Sequence, residues 1–218
     1  MWELTLANYD GIVSRHLNRR VSRPVARVLA TTRVTPNAVT LFTLTLAFAT
    51  CGLIAMGWNI IGGILIQAVS IFDGVDGELA RLKRTATRFG GVLDAVTDRY
   101  ADAAMLGGMT IFAARFEDLP QPEFVGLLAL AGALSVSYSR ARIEASFAGT
   151  PSLAGPSDSV FGFASRDVRS LVAAVGTVAG QCYWTLVVLA VASGLTVTWR
   201  LIYLRRVTGA ARNASKPA

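Results

Sequence analysis

Five aspartates crowd the run from Asp73 to Asp102, DGVDGELARLKRTATRFGGVLDAVTDRYAD. At about 100° per residue, Asp73, Asp76 and Gly77 share one face of a helix. Asp94, Asp98 and Asp102 fall at i, i+4 and i+8, which is one face of a second helix. The turn between them is short, so the two helices are antiparallel neighbours and at least four carboxylates can converge. Left uncompensated, such a cluster repels itself and carries a desolvation cost. Divalent cations are the natural compensation. Oxygen donors with no His or Cys nearby point to Mg²⁺ or Mn²⁺ and away from zinc. Several carboxylates and no other ligand type suggest two ions, about 3.5–4 Å apart, clamping a phosphate under substitution.

Small residues mark the same segment. Gly77, Ala80, Gly90 and Gly91 let either a bulky ligand or another helix approach the backbone. Ligand approach is favoured for Gly77 and Gly90, and helix packing for Gly62, Gly63, Gly107 and Gly108. Asp102 reads as a partner for Arg99 or a polar contact in the bundle. Glu78 reads as a solvated turn residue, and His16, the single histidine, as a solvated surface group.

The elements that must position these residues are apolar. The chain of 218 residues is 53% apolar and 16% charged, more apolar than a soluble domain of this size. Its apolar blocks are roughly 20 residues long, enough to cross a bilayer. Six spans are expected at about 37–57, 60–83, 88–114, 123–143, 167–180 and 183–204, with a polar loop at about 146–164. Thr35-Pro36-Asn37 supplies a capping hydroxyl and a first-turn proline. Gly57-Trp58-Asn59 supplies a turn. Ahead of the spans, Val13, Leu17, Val21, Val25 and Leu29 form one stripe, and Arg15, Arg19, Arg23 and Arg27 another. That pattern predicts an amphipathic interfacial helix over about 9–31, bent at Pro24.

Arginines and lysines concentrate in alternate connections, and Trp58, Trp184 and Trp199 sit at span ends. The expected fold is therefore an all-α integral membrane protein. Six transmembrane helices follow the N-terminal amphipathic helix, with both termini cytoplasmic. The chain divides into a basic arm (1–35), a membrane unit (36–206) and a basic tail (207–218). The first 35 residues hold six arginines and no apolar core, so no secretory signal peptide is expected. Topology also accounts for the formal charge of +7 without a nucleic-acid partner. Cys51 and Cys182 lack metal-type spacing and read as two free thiols.

Asp73, Asp76, Gly77, Ala80, Arg81, Gly90, Asp94 and Asp98 spell D-x2-D-G-x2-A-R-x8-G-x3-D-x3-D without a departure. This resembles the signature of the CDP-alcohol phosphotransferases (CDP-alcohol phosphatidyltransferases). A chance match at a given start is on the order of once in 10⁹. The six-span layout resembles the family over most of the chain. The resemblance implies that an acceptor hydroxyl attacks the β-phosphate of a CDP-alcohol and CMP leaves. It implies two divalent cations, Mg²⁺ or Mn²⁺, on Asp73, Asp76 and Asp94, with Asp98 beside the second ion and acting as base. It implies a CDP site lined by Gly77, Ala80, Arg81 and Gly90, and a homodimer in the cell membrane with its active site facing the cytoplasm.

Arg140, Arg142, Arg166 and Arg169 are candidates for an acceptor phosphate, either inositol phosphate or glycerol phosphate. Tyr138–Arg142 and Ser165–Arg169 resemble the inositol-phosphate branch of the family. That branch includes users of CDP-diacylglycerol and users of CDP-inositol, the di-myo-inositol-phosphate-phosphate synthases. The lipid donor is favoured, because an amphipathic arm and a membrane-buried site suit diacylglycerol tails. A divalent-cation transporter would place its carboxylates near the membrane midplane, often on inverted repeats, and neither feature is visible.

Overall fold

The computed structural model describes residues 18–146 and 166–214. Val13, Arg15, His16, Leu17, Lys216 and nearly all of the expected polar loop lie outside the described residues. Seven helices and no strand are found among the described residues. They are α1 (Arg19–Ala30), α2 (Pro36–Ala55), α3 (Asn59–Leu82), α4 (Arg88–Phe116), α5 (Pro122–Ser146), α6 (Arg166–Val178) and α7 (Cys182–Ala214).

Four of these helices, α2, α3, α5 and α7, are long and apolar enough to cross a membrane. α4 is 29 residues long but carries Asp94, Asp98, Arg99 and Asp102. α6 has only 13 residues. The two helices that depart from the expected apolar spans are those that bring charge to one end of the bundle. α7 runs on to Ala214, through the boundary expected at 206.

Capping fixes where the helices begin. Thr35 Oγ1 accepts from the Ala38 N–H at 3.3 Å, with Pro36 in the first turn. Thr87 Oγ1 accepts from the Gly90 N–H at 3.0 Å and starts α4. Two helices end on a left-handed glycine, Gly57 (φ +91°) after α2 and Gly180 (φ +67°) after α6.

α2 packs on α3 and α4, α3 on α6, α6 on α7, and α4 on α7, so these five close a ring. α5 lies outside the ring against α4 and α7, and α1 lies outside it against α3. The largest buried side chains include Ile54, Ile66, Met109 and Leu186. Backbones approach closely where glycine allows it. A Cβ on Gly63 would stand 2.6 Å from the Ala174 carbonyl oxygen, and one on Gly108 2.9 Å from Cys51 Cα. A Cβ on Gly62 would run into Ile54. Gly107 does not share their packing role, because a Cβ there would meet nothing within 4 Å. Cys51 and Cys182 are free thiols.

α1 packs on α3, and Val25 and Leu29 of the apolar stripe lie partly buried against the core there. Ser22 and Ala26 are buried, while Val21 is 46% exposed. Small residues decide this orientation, because Ser22 lies over Gly74 on α3. Hydrogen bonds then set the register: Asn18 Nδ2 donates to Ser70 Oγ at 3.1 Å, and Gln67 Nε2 donates to Asn18 Oδ1 at 2.9 Å. Pro24 lies within α1 without ending it.

Candidate active site

The turn joining α3 to α4 sets the site. Arg84 N–H donates to the Arg81 carbonyl at 3.2 Å and Thr85 N–H to the Ala80 carbonyl at 2.9 Å, with Arg84 left-handed at φ 55°. This is the double bond of a Schellman ending, with arginine where glycine is usual. Lys83 Nζ ties the same turn to the segment before α2, donating to the Thr32 and Val34 carbonyls at 2.7 Å. α4 therefore starts close beside the end of α3.

That connection brings Asp73 of α3 together with Asp94 and Asp98 of α4. One carboxylate oxygen from each lies within 4.8 Å of the others. Asp76 borders the same pocket, with Thr40, Thr43 and Thr97 on its walls. Asp76 is 6% exposed and accepts from Thr40 Oγ1 and from the Gly77 N–H. Three convergent carboxylates with all-oxygen donors fit a hard divalent cation. Asp102, one turn further along α4, turns instead toward α6.

The compensating charge comes from the first turn of α6. Arg166 Nη1 contacts Asp73 Oδ2 at 2.5 Å and Asp98 Oδ1 at 2.9 Å, while its Nε lies 3.5 Å from Asp102 Oδ1. Arg169, one turn on, is 9% exposed and pairs with Asp102 at 3.7 Å. Arg166, Arg169 and Asp102 open onto a cleft between α4, α5, α6 and α7, whose deeper walls include Met105, Leu106, Ser170 and Ser193. A half-buried cluster of this kind holds a strong local field.

The four expected acceptor arginines separate here. Arg166 and Arg169 line the cleft. Arg140 pairs with Glu144 at 3.0 Å, Arg142 is exposed, and neither lines the cleft or the carboxylate pocket. Of the expected CDP-site residues, Gly77 leaves its face open, since a Cβ there would meet only the Arg81 guanidinium at 3.9 Å. Ala80 and Arg81 follow on the last turns of α3. Gly90 sits in the first turn of α4, where a Cβ would stand 3.1 Å from Thr87 Oγ1.

Sequence reasoning missed three features of the site. Thr40 donates to Asp76 from α2, and its only signal is that Thr40, Thr43 and Thr50 share the buried face of an apolar helix. Glu78 is not a solvated turn residue. It lies 3.6 Å from both Arg23 of α1 and Arg81, because α1 packs on this end of α3. Arg200 of α7 is buried and donates to the Val136 carbonyl at 2.7 Å, although the sequence offers it only as one more basic residue near the tail.

The family model described as CDP-alcohol phosphatidyltransferase matches residues 33–218. The bifunctional IPC transferase and DIPP synthase of Rubrobacter xylanophilus is 40% identical over 198 residues, covering 90% of this chain. The chain spans 43% of that relative's length. The phosphatidylinositol phosphate synthase of Mycobacteroides abscessus is 31% identical over 209 residues, covering 92% of this chain and 91% of the relative. The crystal structure of Mycobacterium tuberculosis phosphatidylinositol phosphate synthase (PgsA1) with CDP-DAG bound is similar with a TM-score of 0.71 and 31% identity. It covers 85% of this chain and 94% of that one. The same enzyme in complex with manganese and citrate matches with a TM-score of 0.71 and 31% identity, over 84% of this chain and 88% of that one.

Proposed function

The chain belongs to the CDP-alcohol phosphatidyltransferase family, and from that premise we propose that it transfers a substituted phosphate from CDP-diacylglycerol to a hydroxyl of an inositol phosphate, releasing CMP. The observation that carries this reading is the convergence of Asp73, Asp94 and Asp98 beside half-buried Arg166 and buried Arg169.

In this mechanism Asp73, Asp76, Asp94 and Asp98 hold two divalent ions, Mg²⁺ or Mn²⁺. When bound, the ions supply charge neutralisation at the pyrophosphate and at the leaving CMP. Thr40 orients Asp76 through its hydrogen bond. Gly77, Ala80, Arg81 and Gly90 form the CDP side, where the bare face of Gly77 admits the nucleotide and Arg81 faces phosphate. Arg166 and Arg169 hold the acceptor phosphate from the other side of α4. Asp98 lies between the two sides, within 2.9 Å of Arg166, and takes the proton of the attacking hydroxyl. The acceptor oxygen forms its bond to the β-phosphorus as the bond to CMP breaks.

α4 and α6 stand beside the four apolar spans, giving six crossings with both termini and the site at the cytoplasmic face of the cell membrane. The active assembly is a homodimer. A second reading exchanges the donor for CDP-inositol, and the 40% identity to the bifunctional relative favours it.

The deciding experiment is CMP release by purified protein with Mg²⁺ or Mn²⁺. CDP-diacylglycerol and CDP-inositol are each crossed with inositol 1-phosphate, glycerol 3-phosphate and free inositol. Release with CDP-diacylglycerol and inositol 1-phosphate is expected. Release with CDP-inositol alone selects the second reading, and silence together with loss of CDP and metal binding refutes both.

A further inference from the structure

We propose that Asp102 is a positioning residue that fixes Arg166 and Arg169 as one phosphate-receiving pair, an inference that rests on the acceptor reading above. Asp102 lies outside the eight-residue signature, yet it is 7% exposed and faces three arginines. Its Oδ1 is 3.5 Å from Arg166 Nε. Its Oδ2 is 3.7 Å from Arg169 and 3.9 Å from Arg99, and it has no hydrogen-bond partner.

The geometry divides the carboxylate ladder of α4 by function. Asp98 meets Arg166 through Nη1, whereas Asp102 meets the same guanidinium through Nε. A planar guanidinium held at two of its nitrogens has its plane and outward edge set. Arg169 is one turn further along α6 and is drawn toward the same carboxylate. Both cations are therefore fixed relative to each other before an anion arrives, which lowers the ordering cost of binding. Arg166 also meets Asp73 and Asp98, and Arg99 meets Asp98, so carboxylates and guanidiniums balance, while Arg166 and Arg169 both line one cleft beside Asp102. A phosphate monoester matches their forked donors.

The test uses the full chain in lipid nanodiscs with Mn²⁺. Binding of inorganic phosphate is measured by calorimetry, and donor and acceptor KM are obtained separately from CMP release with CDP-diacylglycerol and inositol 1-phosphate. Asp102→Asn is expected to raise the phosphate Kd and the acceptor KM by about tenfold or more, with the donor KM within about twofold. Asp102→Glu keeps the charge and is expected to recover part of the loss. If Asp102→Asn does not fold, Asp102→Glu alone decides, because its longer stem still displaces the pair and weakens phosphate binding. Unchanged phosphate binding in the folded variants overturns the proposal, as does a parallel rise in donor and acceptor KM. Equal use of free inositol and inositol 1-phosphate by the wild type would instead sink the acceptor reading. The phosphate measurement would still decide the role of Asp102.

Discussion

At the end of the bundle away from the aspartates, charged and polar side chains bond to helix termini. Arg115 Nη1 donates to the Ala55 carbonyl at 3.0 Å, where α2 ends. Glu117 accepts from the Cys182 and Tyr183 N–H groups at 2.6 and 2.8 Å, where α7 begins. Asn59 Nδ2 donates to the Thr177 carbonyl at 3.2 Å, where α6 ends. At the aspartate end Lys83 also reaches backbone carbonyls, but Asp73 and Asp98 bond to Arg166 and Asp102 pairs with Arg169. The first arrangement satisfies backbone groups at helix ends, where the intrahelical ladder runs out in an apolar surrounding. The second consists of contacts that a cation or a phosphate can replace. One end is built to hold the fold together, and the other to exchange partners.

The two ends should differ most at Asp98. Asp98→Asn should lower CMP release by about 10³-fold while the thermal midpoint stays at or above that of the wild type. A variant that unfolds as readily as it loses activity would make the aspartate end structural too. Glu117→Ala probes the opposite end and should cost about 3 kcal/mol of stability, since two charge-assisted bonds are lost. Activity per folded molecule should stay near wild type, so thermal unfolding and CMP release are measured on the same sample. Thr40→Val sharpens the comparison inside the site. It should raise the Mn²⁺ concentration for half-maximal activity by about tenfold, as when the support of a metal-binding carboxylate is removed. The smallest effect is expected at the turn. Arg84→Gly relieves a left-handed arginine and should stabilise the protein by about 0.5 kcal/mol, read as a small rise in the unfolding midpoint.

Asp73, Asp94 and Asp98 are legible in the sequence because helical period alone decides which side of each helix they occupy. The starts of α2 and α4 are legible for a similar local reason, since Thr35 and Thr87 need only their own first turn. The arginines are another matter. Arg140, Arg142, Arg166 and Arg169 carry one and the same signal, basic charge beside an apolar block. Only tertiary packing buries Arg169 and leaves Arg142 exposed. Glu117 carries no local signal because its partners lie 65 and 66 residues along the chain. The apolar stripe of α1 marks Val25 and Leu29, but only close helix approach decides that Ser22 is brought against Gly74.

The short turn through Arg84 also sets an order in time. Asp73, Asp94 and Asp98 lie on consecutive helices, whereas Arg166 follows 64 residues after Asp102. At ordinary synthesis speeds of about 5–20 residues per second, that gap lasts roughly 3–13 s. A growing chain thus holds its aspartate hairpin, with Arg99 as its own cation, for seconds before Arg166 exists. During that interval, neutralising Asp73 falls to protons and to ions drawn from the surroundings.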